Sequence, residues 1–153
     1  MNMRSLTSII LFFFLQLVAL PQPCLPDGIT FTSQAQIDSF QINYPNCTEI
    51  EGDLHIGIRD AGNNISNLHG LSVLTSIGGN LQIGGGKLTS LTGLNNITFV
   101  GGNLGIHSSD LLTSLTGLDN LTHVGGELCI SNNDTLLSLE GLNSLITVNE
   151  KLQ

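Results

Sequence analysis

The sequence predicts an all-β solenoid, a coil in which successive repeats of about 24 residues stack as rungs. Three observations predict it: an internal repeat with a fixed period, aliphatic residues at constant offsets within each repeat, and a short Leu-x-Ile segment in every complete copy. A period in the twenties is typical of repeats that bury a continuous core only by stacking on their neighbours.

The repeat is clearest in the segment Ile77-Gly-Gly-Asn-Leu-Gln-Ile, which returns in similar form from Val100 and from Val124. A weaker copy begins at Ile50 and an incomplete one at Val148, which gives intervals of 27, 23, 24 and 24 residues. A second block, Leu-x-Gly-Leu, lies between these copies and begins at Leu68, Leu91, Leu115 and Leu139.

Each complete rung carries seven aliphatic residues at steps of 3, 3, 3, 3, 4 and 2 residues. Only the last step has strand periodicity, so Leu-x-Ile predicts a short strand with both aliphatic side chains inward, in a parallel sheet. The threefold steps favour tight turns over α-helix, because Gly93, Gly117 and Gly141 interrupt them. We expect the Gly-Gly pairs before the strand to adopt positive φ at a corner. The seven positions are Leu88, Leu91, Leu94, Ile97, Val100, Leu104 and Ile106 in one rung and Leu112, Leu115, Leu118, Leu121, Val124, Leu128 and Ile130 in the next.

The chain divides into three segments. Residues 1–23 predict a secretory signal peptide, with Arg4 before an apolar run that is too short for a comfortable membrane span. Residues 24–48 predict an N-terminal cap and residues 49–153 the repeats. The repeats stop inside a fifth copy without a cap, so we expect the natural protein to continue, with room for an anchor there. Within this chain no other apolar run is long enough to span a membrane.

The cap is predicted to contain a strand and a helix. Ile29-Thr-Phe31 predicts the strand, and the capping box Ser33-Gln-Ala-Gln36 predicts the start of a helix that Pro45 ends. Cys24 and Cys47 bracket this segment, and in an exported protein they predict a disulfide. The alternative, a lipid-modified Cys24, is disfavoured by the prolines before it. Cys129 is left without a predicted partner.

Composition excludes one class of function and disfavours two others. After the signal peptide the chain has three basic and twelve acidic residues, a net charge of about −9, and a nucleic-acid-binding protein needs a basic footprint. The histidines and Cys129 lie at offsets that do not converge, so no metal site and no cofactor are predicted. The segment His107-Ser-Ser-Asp110 contains the residue types of a hydrolase, but four consecutive residues cannot form a supported triad. No catalytic residue is predicted.

Five Asn-x-Ser/Thr sequons are candidate N-glycosylation sites. An equally weighted alternative is that Asn96-Ile-Thr and Asn120-Leu-Thr form one copied unit that makes turn and ladder hydrogen bonds. The five sequon asparagines are Asn46, Asn64, Asn96, Asn120 and Asn133.

The units at residues 88–106 and 112–130, of the form Leu-Thr-Ser-Leu-Thr-Gly-Leu followed by Val-Gly-Gly-x-Leu-x-Ile, resemble receptor L domains. This leucine-rich-repeat-type family occurs in growth-factor-receptor ectodomains and in surface proteins of bacteria and fungal walls. The segment from Phe31 through Cys47 to Leu54 resembles the opening cap of the family, including its first disulfide. The resemblance implies a right-handed β-solenoid, an extracellular setting and binding without catalysis.

The leading functional hypothesis is a secreted or cell-surface recognition or adhesion module that binds an extracellular protein or a glycan. A structural spacer of a cell wall or matrix is the alternative, and a β-helix polysaccharide-active enzyme is the remote one. The candidate ligand face lies on the outward strand positions and the adjoining loops. Its members are His55, Gln82, Phe99, Gly105, His107 and His123.

Overall fold

The computed structural model describes residues 23–57 and 63–150. It is a parallel β-solenoid of about five turns, which confirms the predicted all-β fold class. The predicted signal peptide lies outside the described residues except for its last residue, Pro23. No helix within the described ranges is long and apolar enough to cross a membrane.

One sheet contains the predicted Leu-x-Ile strands. It has five parallel strands in the order β10-β8-β6-β4-β2, all paired in register. Each repeat contributes one strand and the cap contributes β2, so the register follows the sequence repeat. The strands are β2 (Ile29–Phe31), β4 (Leu54–Ile56), β6 (Leu81–Gly84), β8 (Leu104–His107) and β10 (Leu128–Ser131).

A second sheet was missed by the sequence analysis, which predicted only turns before the Gly-Gly pairs. It has six parallel strands of two residues each, in the order β1-β3-β5-β7-β9-β11. Two residues are too few to display an alternating pattern, and only the inward one is aliphatic in every repeat. The strands are β1 (Pro23–Cys24), β3 (Glu49–Ile50), β5 (Ser76–Ile77), β7 (Phe99–Val100), β9 (His123–Val124) and β11 (Thr147–Val148).

The core consists of the predicted aliphatic columns. All seven aliphatic residues of the rung from Leu88 to Ile106 are at most 2% exposed. Burying a side chain of this size contributes about 1.5–3 kcal/mol, so the stacked columns are the dominant stabilising term. In the last described rung the side chains at these positions are less covered: Leu139 is 56% exposed, and the others are only partly buried, namely Leu136, Leu142, Leu145 and Val148.

The glycines act differently from the prediction. The Gly-Gly pairs do not have positive φ; they are required because an added Cβ would meet the backbone of the preceding rung, as Gly101 would meet the carbonyl of Gly78. Positive φ occurs instead in the last three Leu-x-Gly-Leu turns, at 117° for Gly93 and Gly117 and 111° for Gly141, but not at Gly70 of the first. These turns also bring the glycine Cα against backbone, so both φ and space demand glycine there.

Polar side chains at one corner form a ladder between rungs. Asp53 Oδ1 accepts the N–H of Asn80 at 2.7 Å, Asn80 Oδ1 accepts that of Asn103 at 2.7 Å, and Asn103 Oδ1 accepts that of Glu127 at 2.8 Å. We call Asp53, Asn80, Asn103 and Glu127 the asparagine ladder. It explains why Asp or Asn follows the second glycine position in the first three repeats, because the backbone N–H of the next rung at this corner needs an acceptor.

Residues 24–48, the predicted cap, contain the strand β2 and two short helices. Gln36 Oε1 accepts the backbone N–H groups of Thr32 at 2.7 Å and Ser33 at 3.1 Å, and α1 (Gln34–Asp38) begins there. The helix is interrupted at Ser39 and continues as α2 (Phe40–Asn43). Ile37 and Phe40 are fully buried, and Phe40 makes an edge-on contact with Phe31 at 5.9 Å between ring centroids. The 3₁₀ turn His69–Leu71 packs against these helices.

Cys24 and Cys47 form the predicted disulfide, with their Cα atoms 5.6 Å apart. The bond joins β1 to the segment that follows α2, so it holds the two ends of the cap together.

Candidate functional site

The predicted ligand face divides between the two sheets. His55, Gln82, Gly105 and His107 lie on the five-stranded sheet, whereas Phe99 and His123 lie on the six-stranded sheet. The six residues therefore form two separate candidate surfaces rather than one.

The outward column of the five-stranded sheet has the predicted composition and register. Its residues pair from rung to rung in the order Thr30, His55, Gln82, Gly105 and Cys129. At about 4.8 Å per rung, His55 and Cys129 are roughly 14 Å apart, too far to share a metal ion. Within the described ranges no group of three or more His, Cys, Asp or Glu side chains is placed to hold one.

The glycine of this column makes room for the imidazole of His107. A Cβ on Gly105 would meet both Gln82 Oε1 and His107 Nε2, so the missing side chain lets these two groups approach across it. His107 Nε2 lies 3.2 Å from Gln82 Oε1, and His107 Nδ1 lies 2.9 Å from Ser131 Oγ. We call Gln82, His107 and Ser131 the polar row, which spans three strands and fixes the ring from both sides.

Two further contacts extend this surface toward the cap. His55 Nδ1 lies 3.5 Å from Thr30 Oγ1, and His55 Nε2 lies 3.9 Å from Asp53 Oδ2. The second pair is an ion pair only when the imidazole is protonated. Among the described residues of the five-stranded sheet there is no lysine or arginine, so this face presents imidazole, amide, hydroxyl and thiol groups.

On the six-stranded sheet, Phe99 and His123 are directly paired residues of β7 and β9. Their rings stack with centroids 4.9 Å apart and an interplanar angle of 3°. Phe99 is 40% exposed, so the column that contains Phe99 and His123 faces outward. Residue spacing alone could not establish this orientation.

The polar row contains a serine and an imidazole in hydrogen-bond contact, the pairing that a hydrolase uses. Its third member is a neutral amide rather than a carboxylate, and the row lies on an open sheet surface rather than in a supported pocket. His107 also does not pair through its ring with the neighbouring residues of the segment His107-Ser-Ser-Asp110; Ser109 Oγ instead donates to the backbone carbonyl of His107 at 3.3 Å.

Four of the five sequon asparagines are exposed, and Asn133 is half-buried. The hydrogen bonds predicted for the copied Asn-x-Thr unit are present, and they are separate from the asparagine ladder. Asn96 Nδ2 donates to the carbonyl of Ser72 and Asn120 Nδ2 to that of Asn95, each at 2.7 Å.

Ser131 was missed by the sequence analysis. It follows Ile130 at a position that varies between repeats, and only its contact with the imidazole gives it a role. The signal that could have found it is Gly105 in β8. A glycine in an outward column leaves space that a neighbouring side chain can occupy.

Parallel rungs, a helical cap and an aliphatic interior define the chain as a repeat protein of the solenoid class. The family model described as Receptor L domain matches residues 46–109, in agreement with the resemblance seen in the repeats and the cap. No curated protein and no solved structure gave a significant match. This match and the Cys24–Cys47 disulfide together favour an extracellular or cell-surface setting.

Proposed function

We propose that this protein is an extracellular recognition module that binds a protein or a glycan, without catalysis, through the outward face of its five-stranded sheet. The observation that carries the proposal is the polar row. Gln82, His107 and Ser131 lie on three neighbouring strands and hold one another in place. Groups fixed before binding lose little conformational entropy when a ligand arrives, which favours affinity.

The hydrogen-bonding capacity that remains on the row suits a polar ligand. The carbonyl oxygen of Gln82 is engaged by His107, whereas its amide nitrogen has no partner among the described residues. A carbonyl or hydroxyl of a ligand can accept from this nitrogen. Because the five-stranded face lacks described lysine and arginine residues, recognition would rest on directional hydrogen bonds more than on charge.

The structural alternative, a spacer of a wall or matrix, differs in one respect. A spacer needs the buried columns but has no use for a preorganised polar surface, so the polar row favours recognition. The remote enzymatic alternative would need clustered carboxylates beside a basic group. Lys87 is the one lysine or arginine within the described ranges, which disfavours that alternative.

The test is a binding screen with the mature chain against immobilised glycans and displayed extracellular protein domains. The variants Gln82→Ala and His107→Ala should weaken any binding found by about tenfold, the scale of a residue at the centre of an interface. Ser76→Ala is the matched control, because Ser76 lies in the same rung as Gln82 but on the six-stranded sheet. Thermal melts establish that all variants are folded.

Two outcomes would overturn the proposal. Unchanged binding by both polar-row variants would place the ligand elsewhere on the molecule. A folded protein that binds nothing in either panel would favour the structural spacer.

A further inference from the structure

Three sequon asparagines occupy one corner of the solenoid. Asn46, Asn96 and Asn120 each lie three residues before the first residue of a strand of the six-stranded sheet, namely β3, β7 and β9. Because these strands stack in register, the asparagines form one row along the solenoid, which we call the sequon row. The rung between the first two has Val73 at this position.

The amide groups of Asn96 and Asn120 remain accessible although each donates a hydrogen bond to the preceding rung. Asn96 and Asn120 are both exposed, and each uses its Nδ2 in one hydrogen bond, to the carbonyl of Ser72 and of Asn95. A side-chain amide carries two N–H groups, so a second one is left on each nitrogen. Attachment of a sugar at that position does not require the first bond to break.

Asn133 differs from Asn96 and Asn120 in its exposure and in the use of its side-chain carbonyl oxygen. It is half-buried, its Oδ1 accepts the N–H of Ser109 at 2.9 Å, and its Nδ2 donates to the carbonyl of Ile106 at 3.0 Å. The sequon threonine does not distinguish the sites, because Thr98 and Thr122 donate to backbone carbonyls as Thr135 does. Asn133 also keeps a second N–H, so it is burial that opposes a glycan there. Moving the half-buried amide outward to admit one would leave the N–H of Ser109 without its acceptor.

We propose that the folded, secreted protein carries N-linked glycans on Asn96 and Asn120 and none on Asn133. In the reaction the Nδ2 nitrogen attacks the anomeric carbon of a polyprenyl-diphosphate-linked oligosaccharide. The new C–N bond forms as the C–O bond to the diphosphate breaks; the nitrogen loses one proton and the polyprenyl diphosphate leaves. The reaction requires export through a compartment that holds this donor and its transferase.

The position of the row also bears on the ligand face. Within its rung, Asn96 lies before β7, and the Gly-Gly corner and the asparagine ladder separate β7 from β8 of the five-stranded sheet. Glycans on Asn96 and Asn120 therefore extend from the corner beside the six-stranded sheet. They leave the polar row open.

The experiment is secretion of the whole chain from a eukaryotic cell line, followed by enzymatic removal of N-glycans in heavy-oxygen water and peptide mass spectrometry. Each formerly glycosylated asparagine becomes a labelled aspartate. We expect most molecules to be labelled at Asn96 and at Asn120, and fewer than about one in ten at Asn133. Substantial label at Asn133, or secreted protein without label at Asn96 and Asn120, would overturn the proposal.

Variants separate glycan attachment from the hydrogen bonds that Asn96 and Asn120 donate to the preceding rung. Asn96→Gln and Asn120→Gln should each remove one glycan from the intact mass. Thr98→Ser keeps both the sequon and the hydroxyl that donates to Thr75, so the glycan on Asn96 should remain, whereas Thr98→Val should abolish it. Glycan retained on Asn96 in the Thr98→Val protein would contradict the assignment. The labelling of the wild-type chain stands even if a variant fails to fold.

Discussion

The imidazole Nε2 of His107 lies 3.2 Å from Oε1 of Gln82, on the far side of the strand position that Gly105 occupies. The two residues are 25 apart in the sequence, and they meet because successive rungs stack in register and the glycine between them has no side chain. The in-register stacking that builds the buried core therefore also assembles the polar row on the proposed ligand-binding surface.

The glycines of the two motifs should respond differently to the same substitution. Gly117→Ala places a Cβ against the backbone of Leu91 at a residue with φ of 117°, so we expect a loss of about 2–4 kcal/mol in the free energy of unfolding. Gly105→Ala meets only the ends of the Gln82 and His107 side chains, and should cost less than about 1 kcal/mol. Urea unfolding of both variants checks the difference, and equal losses would contradict it.

The asparagine ladder should depend on its acceptors. Asn103→Ala leaves the N–H of Glu127 without the oxygen that now accepts it at 2.8 Å, so we expect a loss of about 0.5–1.5 kcal/mol. Asn103→Asp retains an acceptor at the same place, as Asp53 does in the first rung, and should retain most of the stability. An aspartate variant that is as unstable as the alanine variant in urea would show that the ladder is not held by these acceptors.

The disulfide should be detectable by thiol titration. Of three cysteines only Cys129 is free, so denatured but unreduced protein should expose one thiol, and reduced protein three. Replacing Cys24 and Cys47 together with alanine should lower stability by about 3 kcal/mol for a loop of this length. Cys129→Ser is the control and should change stability little. Three thiols before reduction would exclude the bond.

The stacked pair on the six-stranded sheet should be energetically coupled. Phe99 and His123 are directly opposite each other with ring centroids 4.9 Å apart, a geometry that contributes about 0.5–1 kcal/mol beyond burial. A double-mutant cycle of Phe99→Ser and His123→Ser measures this term by urea unfolding, and serine is the residue that Ser76 already supplies in the same column. Strictly additive losses would contradict a stabilising contact.

Much of the fold could be predicted because the aliphatic residues that recur in each repeat identify the buried positions of the core. A position such as Leu104 recurs as Leu81 and Leu128, and only a stacked, buried site requires the same aliphatic residue every rung. The cap was predicted for a similar local reason, since Ser33 and Gln36 form a known helix-start pattern. The second sheet could not be predicted, because its strands have one buried residue each and no alternation.

The candidate site was only partly predictable. Residue spacing placed His55, Gln82 and Gly105 in one outward column, because strand positions repeat with the rung. It could not bring His107 into contact with Gln82, since that contact depends on a side chain turning into the space left by a glycine. Nor could it separate Phe99 and His123 onto another sheet, because the existence of that sheet was itself unknown.

The most direct test of the proposed binding face is to map where a ligand from the binding screen contacts the protein. Backbone amide shifts of the isotope-labelled chain are compared in the free and saturated states. We predict that the changes concentrate in β6, β8 and β10, around Gln82, His107 and Ser131, and leave β7 and β9 unaffected. Changes confined to Phe99, His123 and their strands would contradict the assignment of ligand binding to the five-stranded sheet.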